Sequence, residues 1–290
     1  MPAARVARVA IVTDSTAHLP EGFADRHAVR VVPLRVLVDG RAVLDGVDIG
    51  PAELAAAFAS RRTVTTSRAN PDEFAPVYRE LLAGGAEQVV SVHLSRELSG
   101  TWESARLAAA EVAPDRIRVV DSRTTVMGLG FAALRAAAAA AGGAPAAEVE
   151  LVAVRAAAST TAFFVLETVE YLRRGGRIGA GAAFLGTALA VKPVLHVDNG
   201  RIVPLEKVRT TGRAVARLIE LAVDAAGNEP VQLAVHHLAA SDRAADLATR
   251  LDERIAGSSG CVVSEVGAVI GAHTGPGMLG VVICPEANRP

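Results

Sequence analysis

The run from Gln88 to Ala110 constrains the fold most. Gln88-Val89-Val90-Ser91-Val92 is rich in β-branched residues and holds no turn former, the pattern of a buried strand. Trp102 to Ala110 then reads as a helix. Between them stands His93-Leu94-Ser95-Arg96-Glu97-Leu98-Ser99-Gly100-Thr101. Ser99 or Thr101 is the expected N-cap, and Gly100 lets another group approach the backbone closely. A strand that breaks through such a turn into a helix offers unpaired backbone N–H groups, hydroxyls and the positive end of a helix dipole. Those features suit a carboxylate or a phosphate. An ordinary capped helix has the same spacing, so the rest of the chain must decide.

The flanking segments read as an α/β protein. A strand over Val6 to Thr13 ends in Asp14-Ser15, and one over Arg116 to Val120 ends in Asp121-Ser122. Both turns are expected at the carboxyl edge of a parallel sheet, where such sheets bind ligands. Val29 to Val38 reads as one strand with Pro33 inside it, at an edge or a bulge, and Asp39-Gly40 as a hairpin turn. Thr63 to Asn70 is a polar turn, and Asn70 caps a helix opened by Pro71. The Ala-rich helix Met127 to Ala141 stops at Gly142-Gly143-Ala144-Pro145. Lys192 to Val197 and Arg201 to Leu205 make a hairpin, so the second half carries antiparallel sheet. Gly267 to Gly280 reads as a glycine-dense loop.

Composition excludes several functions. A formal net charge of -1 and 3% aromatic residues leave no nucleic-acid footprint or base-stacking surface. The two cysteines, Cys261 and Cys284, make neither a disulfide framework nor a C-x-x-C metal site. The first residues do not read as a signal peptide, and the most apolar helix is too short to cross a bilayer and contains Arg135. The expectation is a cytoplasmic protein with no metal or cofactor. Gly275-Pro276-Gly277-Met278-Leu279-Gly280 matches G-x-G-x-x-G but lacks a following helix, and neither a Walker motif nor a G-x-S-x-G elbow exists. His236 and His237 are neighbours on a strand and point to opposite faces, so they cannot share a metal. His273 is the better functional candidate, because glycine-dense loops sit on surfaces and carry function.

Taken in order, the motifs resemble the DegV family, the fatty-acid-binding subunits of bacterial fatty-acid kinases. The resemblance runs from Ile11-Val12-Thr13-Asp14-Ser15-Thr16 through Thr66-Ser67, Leu98-Ser99-Gly100-Thr101 and Val119-Val120-Asp121-Ser122. It continues through Tyr171-Leu172-Arg173-Arg174-Gly175-Gly176-Arg177-Ile178, Lys192-Pro193-Val194-Leu195 and Glu206-Lys207-Val208-Arg209-Thr210 to His273-Thr274-Gly275-Pro276-Gly277. Two places depart from the family pattern: Arg68-Ala69-Asn70 before Pro71, and Ser95-Arg96 ahead of Leu-Ser-Gly-Thr.

The resemblance implies a two-domain α/β fold with a ligand between the domains. Residues 1–156 would form a mostly parallel N-terminal domain and residues 157–290 a mixed-sheet C-terminal domain. It implies that Thr66 and Ser99 hold a fatty acid's carboxylate, with His273 nearby. An acyl chain such as that of palmitate or oleate would lie against Phe163, Phe164, Leu166, Phe184, Leu185, Leu189 and Val194. Arg173, Arg177 and Arg209 would meet a phosphate or a partner, a separate ATP-dependent kinase that phosphorylates the bound acyl group. The competing expectation is a serine-dependent hydrolase or acyltransferase, with Ser99 as nucleophile, His273 as base, and Asp14 or Asp121 orienting the base.

Overall fold

The computed structural model describes residues 8–178 and 191–286. Phe184, Leu185 and Leu189 lie outside the described residues. The first half builds a four-stranded parallel sheet from β1 (Val9–Asp14), β2 (Val29–Val32), β6 (Gln88–His93) and β7 (Ile117–Asp121), in the order β2-β1-β6-β7. Helices α3 (Pro71–Ala83) and α4 (Thr101–Val112) cover one face, and α5 (Val126–Ala141) and α6 (Ala146–Ser159) cover the other.

The second half builds a six-stranded mixed sheet in the order β10-β9-β8-β13-β11-β12. Its strands are β8 (Thr161–Val165), β9 (Lys192–Asp198), β10 (Arg201–Val208), β11 (Val231–His237), β12 (Ser258–Glu265) and β13 (Leu279–Pro285). Among the described strands of this sheet, β11 and β12 pair in parallel and the others antiparallel. Helices α8 (Thr211–Ala226) and α9 (Ser241–Arg254) cover the outer face, while α5 and α6 pack on β13 from the inner face.

The order through the molecule is therefore helix, sheet, helix, sheet, helix. This explains the composition of α5. A helix held between two sheets keeps little solvent face, so α5 is apolar over most of its surface, Arg135 apart, and small enough for close approach. Its Ala and Gly content follows, and at Gly130 a Cβ would stand 2.9 Å from the Ala17 carbonyl oxygen. One apolar core runs from the parallel sheet through α5 to Ala162, Phe164 and Leu166 of the second half. The expected division at 156/157 falls inside the last turn of α6.

Several local expectations change. Val29 to Val38 is two strands, not one: β2 ends at Val32, and β3 (Arg35–Val38) joins a separate antiparallel sheet, β4-β3-β5, with β4 (Arg41–Leu44) and β5 (Val64–Thr66). Pro33 has no N–H to give a ladder, so the chain turns from one sheet to the next there. Part of the expected polar turn at 63–70 is thus strand β5. The glycine-dense stretch contains a helix, α10 (Ala268–Thr274), whose central Gly271 packs against Leu54 and Leu238 with no room for a side chain. The N-cap of α4 is Gly100, with Thr101 as the first helical residue. The described residues also include two short helices, α1 (Phe23–Arg26) and α7 (Glu170–Gly175), and α2 (Pro51–Ala59).

Candidate functional site

The site begins with α10, whose start is held from the other half of the chain. Asp45 Oδ1 accepts from the Ala268 N–H at 2.6 Å, and Ser15 Oγ donates to Asp45 Oδ2 at 2.8 Å. A Cβ on Gly267 would stand 2.4 Å from Asp45 Oδ1, so a glycine is needed for this cap. Burial pushes the Asp45 carboxyl above its usual range, and its hydrogen bonds to Ser15, Ala268 and Val269 oppose that push. Capped this way, α10 delivers His273 in its last turn against the end of β5. His273 Nε2 lies 2.9 Å from Thr66 Oγ1.

The His273 ring is neutral. Burial, then the neighbouring Arg177 charge, lowers its pKa to about 4. Its Nδ1 makes no hydrogen bond and rests on Gly175, where a Cβ would stand 2.1 Å away. With the proton on Nε2, the ring donates to Thr66 Oγ1 and leaves the Thr66 hydroxyl proton for a ligand acceptor; a proton on Nδ1 reverses those roles.

Ser99 approaches from the loop after β6. That loop is pinned at Ser95, whose N–H donates to the Thr124 carbonyl at 2.9 Å and whose carbonyl accepts from Leu98 and Ser99 N–H at 3.0 and 3.1 Å. Ser99 Oγ shares a 2.9 Å hydrogen bond with Thr101 Oγ1 and accepts from the Thr101 N–H at 3.3 Å. Arg177 ties the same loop to α7: its Nε donates to the Leu98 carbonyl at 3.1 Å, and its guanidinium also donates to the Gly175 carbonyl.

Thr66, Ser99, His273 and Arg177 all line one cavity. Its wall is mainly apolar, with Thr66, Ser67, Ser99, Thr101, Arg177 and His273 among the polar residues that reach it. Phe163 and Phe164 of β8 line it, with Leu98, Val126, Val281 and Val282. This shape, an apolar slot with a few convergent polar groups at one place, is that of a small-molecule site.

Leu166 and Val194 are not in the wall. Leu166 is 1% exposed within the main core, and Val194 is fully buried in the core under α8. Val194 stands opposite Val165 and shares with it and with Phe163 the face turned to α8, whereas Phe164 faces the inner side. Arg177, expected among outward partner contacts, instead points into the cavity wall, half-buried. Arg209 is exposed beyond the end of β10, and Arg173 sits on α7. A second, solvent-facing hollow shares Thr66, Arg177 and His273 with the slot and is flanked by Arg61, Arg62 and Arg174.

The serine-enzyme geometry is a poor match. Ser99 bonds Thr101, His273 bonds Thr66, and no carboxylate orients the free nitrogen of His273. Asp14 is engaged by His93 Nδ1 at 3.0 Å and by the Leu94 N–H at 3.1 Å. Asp121 accepts from the N–H groups of Arg96 and Arg123. Ser91, His93 and Asp14 do form a serine–histidine–aspartate chain, with Ser91 Oγ 2.7 Å from His93 Nε2. All three are fully buried, and Tyr78 donates to Ser91 at 2.8 Å, so this chain is a structural strut beneath the sheet.

Sequence reasoning missed Thr125 and His236, which also line the slot. Alternation shows only that His236 and His237 face opposite sides of a strand, and nothing local says that His236 is the one that meets the start of α5. Among the described residues no group of histidine, cysteine or acidic side chains is placed to hold a metal, and no helix is long and apolar enough to cross a membrane.

Comparison with known proteins gives a consistent picture. A family model described as "Uncharacterised protein, DegV family" matches residues 8–286. A DegV domain-containing protein of Streptomyces coelicolor is 55% identical over 275 residues, 95% of this chain and 98% of its own. A solved structure from Thermus thermophilus, described as fatty acid binding of a DegV family protein, superposes with a TM-score of 0.89 at 36% identity, covering 96% of this chain and 100% of that one. The Bacillus subtilis DegV structure, described as a fatty acid binding protein, gives 0.87 at 32% identity, over 96% and 99% of the two chains.

Proposed function

Because this chain belongs to the DegV family, we propose that it binds a long-chain fatty acid such as palmitate or oleate and presents the carboxylate to a separate ATP-dependent kinase, which forms the acyl phosphate. The observation that carries this reading is the apolar slot with Thr66, Ser99, His273 and Arg177 gathered in its wall. The Thr66 and Ser99 hydroxyls donate to the carboxylate, and Arg177 supplies the counter-charge that a neutral His273 does not. The acyl chain lies along Phe163 and Phe164. Burying about fifteen methylenes at about 0.8 kcal/mol each yields a gross gain of about 12 kcal/mol before entropy losses.

The arginine-flanked hollow gives the kinase and its phosphate donor a solvent route to Thr66 and His273. Arg173 and Arg209 serve that partner from outside the slot. The separate hydrogen bonds of Ser99 and His273 favour a carrier over a serine hydrolase or acyltransferase.

Organic extraction and mass spectrometry of the protein purified under native conditions tests the reading. The expected result is about one long-chain fatty acid per chain. Protein that carries none, and that takes up neither palmitate nor oleate when they are added, overturns it.

A further inference from the structure

Helix α6 has an outer face that its inner packing does not explain. Val149, Ala153 and Ala156 are buried on the side that meets α5 and the parallel sheet. The other side carries Ala147, Leu151, Val154 and Ala158, all exposed, and Leu151 and Val154 each keep 43% of their surface in water. The outer face of α9 shows the usual alternative, with Asp242, Asp246, Arg250 and Glu253 exposed. Single exposed apolar side chains are ordinary, but four in line on one helix form a patch. Their steps of four, three and four residues keep them in one stripe. The stripe is about 17 Å long and has the spacing of a seam between two helices.

The charges beside the stripe say what fits it. Glu148 and Arg155 are seven residues apart, so they lie on the same flank. Both are exposed, and among the described residues no ion pair or hydrogen bond engages either side chain. On the opposite flank Glu150 is taken by Arg118 of β7 at 2.7 Å. A second copy of α6 can be laid antiparallel on the first, about a two-fold axis between Leu151 and Val154. Leu151 then meets Val154 of that copy, Ala147 meets its Ala158, and the flank with Glu148 faces its own counterpart. Each Glu148 stands beside the other copy's Arg155, so the flank charges of both copies are paired. One surface supplies both halves of the match, as a two-fold contact requires.

We propose that α6 is a self-association helix, through which two copies of this chain pair antiparallel. No residue of α6 lines the slot or the arginine-flanked hollow, so the pairing uses a face that the carrier function leaves idle.

The test is sedimentation equilibrium of the full chain at neutral pH. A contact one helix wide is small for a specific interface, so the expected dimer is weak and forms between roughly 10 μM and 1 mM. Leu151→Glu, which puts a charge into the seam, should raise the dissociation constant at least about tenfold. Glu148→Arg and Arg155→Glu should each weaken the dimer about tenfold, since each turns two attractive pairs into two repulsive ones. Mixed in equal amounts, these two variants should form a heterodimer about as tight as the original, because all the flank charges then find opposite partners. Thermal melts establish that each variant is folded. A chain that stays monomeric up to about 1 mM refutes the proposal, and so does a dimer that Leu151→Glu leaves intact. A mixture no tighter than either charge variant alone refutes the antiparallel pairing.

Discussion

Replacing Thr66 with valine isolates the hydrogen bond on which the carboxylate site turns. Valine keeps the branched Cβ that suits strand β5 and removes only the hydroxyl, which lies 2.9 Å from His273 Nε2. Two effects oppose each other. Losing a donor to a charged carboxylate costs about 1.5–3 kcal/mol. Against that, the variant frees His273 Nε2, but a ring seated on Gly175 and aimed at position 66 recovers only about 0.5–1 kcal/mol of that from the carboxylate. The net loss is about 1–2 kcal/mol, a weakening of palmitate binding by about 5- to 30-fold. Titration calorimetry on delipidated protein at neutral pH measures it, with a thermal melt to establish that the variant is folded. A dissociation constant within about twofold of the original, in a folded variant, refutes the placement of the carboxylate at Thr66.

Three further outcomes follow from the geometry. Gly175→Ala should drive the His273 ring off its seat, since the new Cβ would stand 2.1 Å from Nδ1. It should destabilise the protein by about 1–3 kcal/mol and weaken lipid binding as well; an unchanged melting temperature and affinity argue against that packing. Delipidated protein should lose stability as pH falls from about 6.5 toward 4, because unfolded imidazoles then take protons that the folded, buried His18, His236 and His273 refuse. For His273 the drop from 6.5 to about 4 corresponds to about 3 kcal/mol. Urea unfolding at steps across that range reads the slope, and a flat profile counts against buried neutral histidines. Arg209→Ala and Arg173→Ala should leave palmitate affinity intact and slow acyl-phosphate formation several-fold at limiting carrier, because rim charges act on encounter; loss of lipid binding instead would place these residues in the slot.

What was legible in the sequence was local. The strand-turn-helix at 88–110, the Asn70 cap before Pro71 and the 192–205 hairpin each depend on residues within a few positions of one another, and each stands in the structure. The α/β class follows from the same short-range patterns, and the order of motifs was sufficient to bring Thr66, Ser99 and His273 to notice together. The sequence also carries the reason the chain breaks at Pro33, although not which sheet takes each piece.

Only the tertiary structure decided which side chains share a space. Leu166 and Phe164 belong to one core and Val194 and Phe163 to another, yet only the two phenylalanines also reach the slot. Alternation along a strand tells that two residues face opposite ways, but not which way is inward when both faces of a sheet are covered. Arg177 reads as a surface cation until the loop at Leu98 closes over it. Thr125 reads as an ordinary helix cap until His236, more than a hundred residues later in the chain, takes the N–H that such a cap would hold. Hydrogen bonds of that kind form between elements brought together by the packing of two sheets on one helix, and no pattern short enough to see along the chain encodes them.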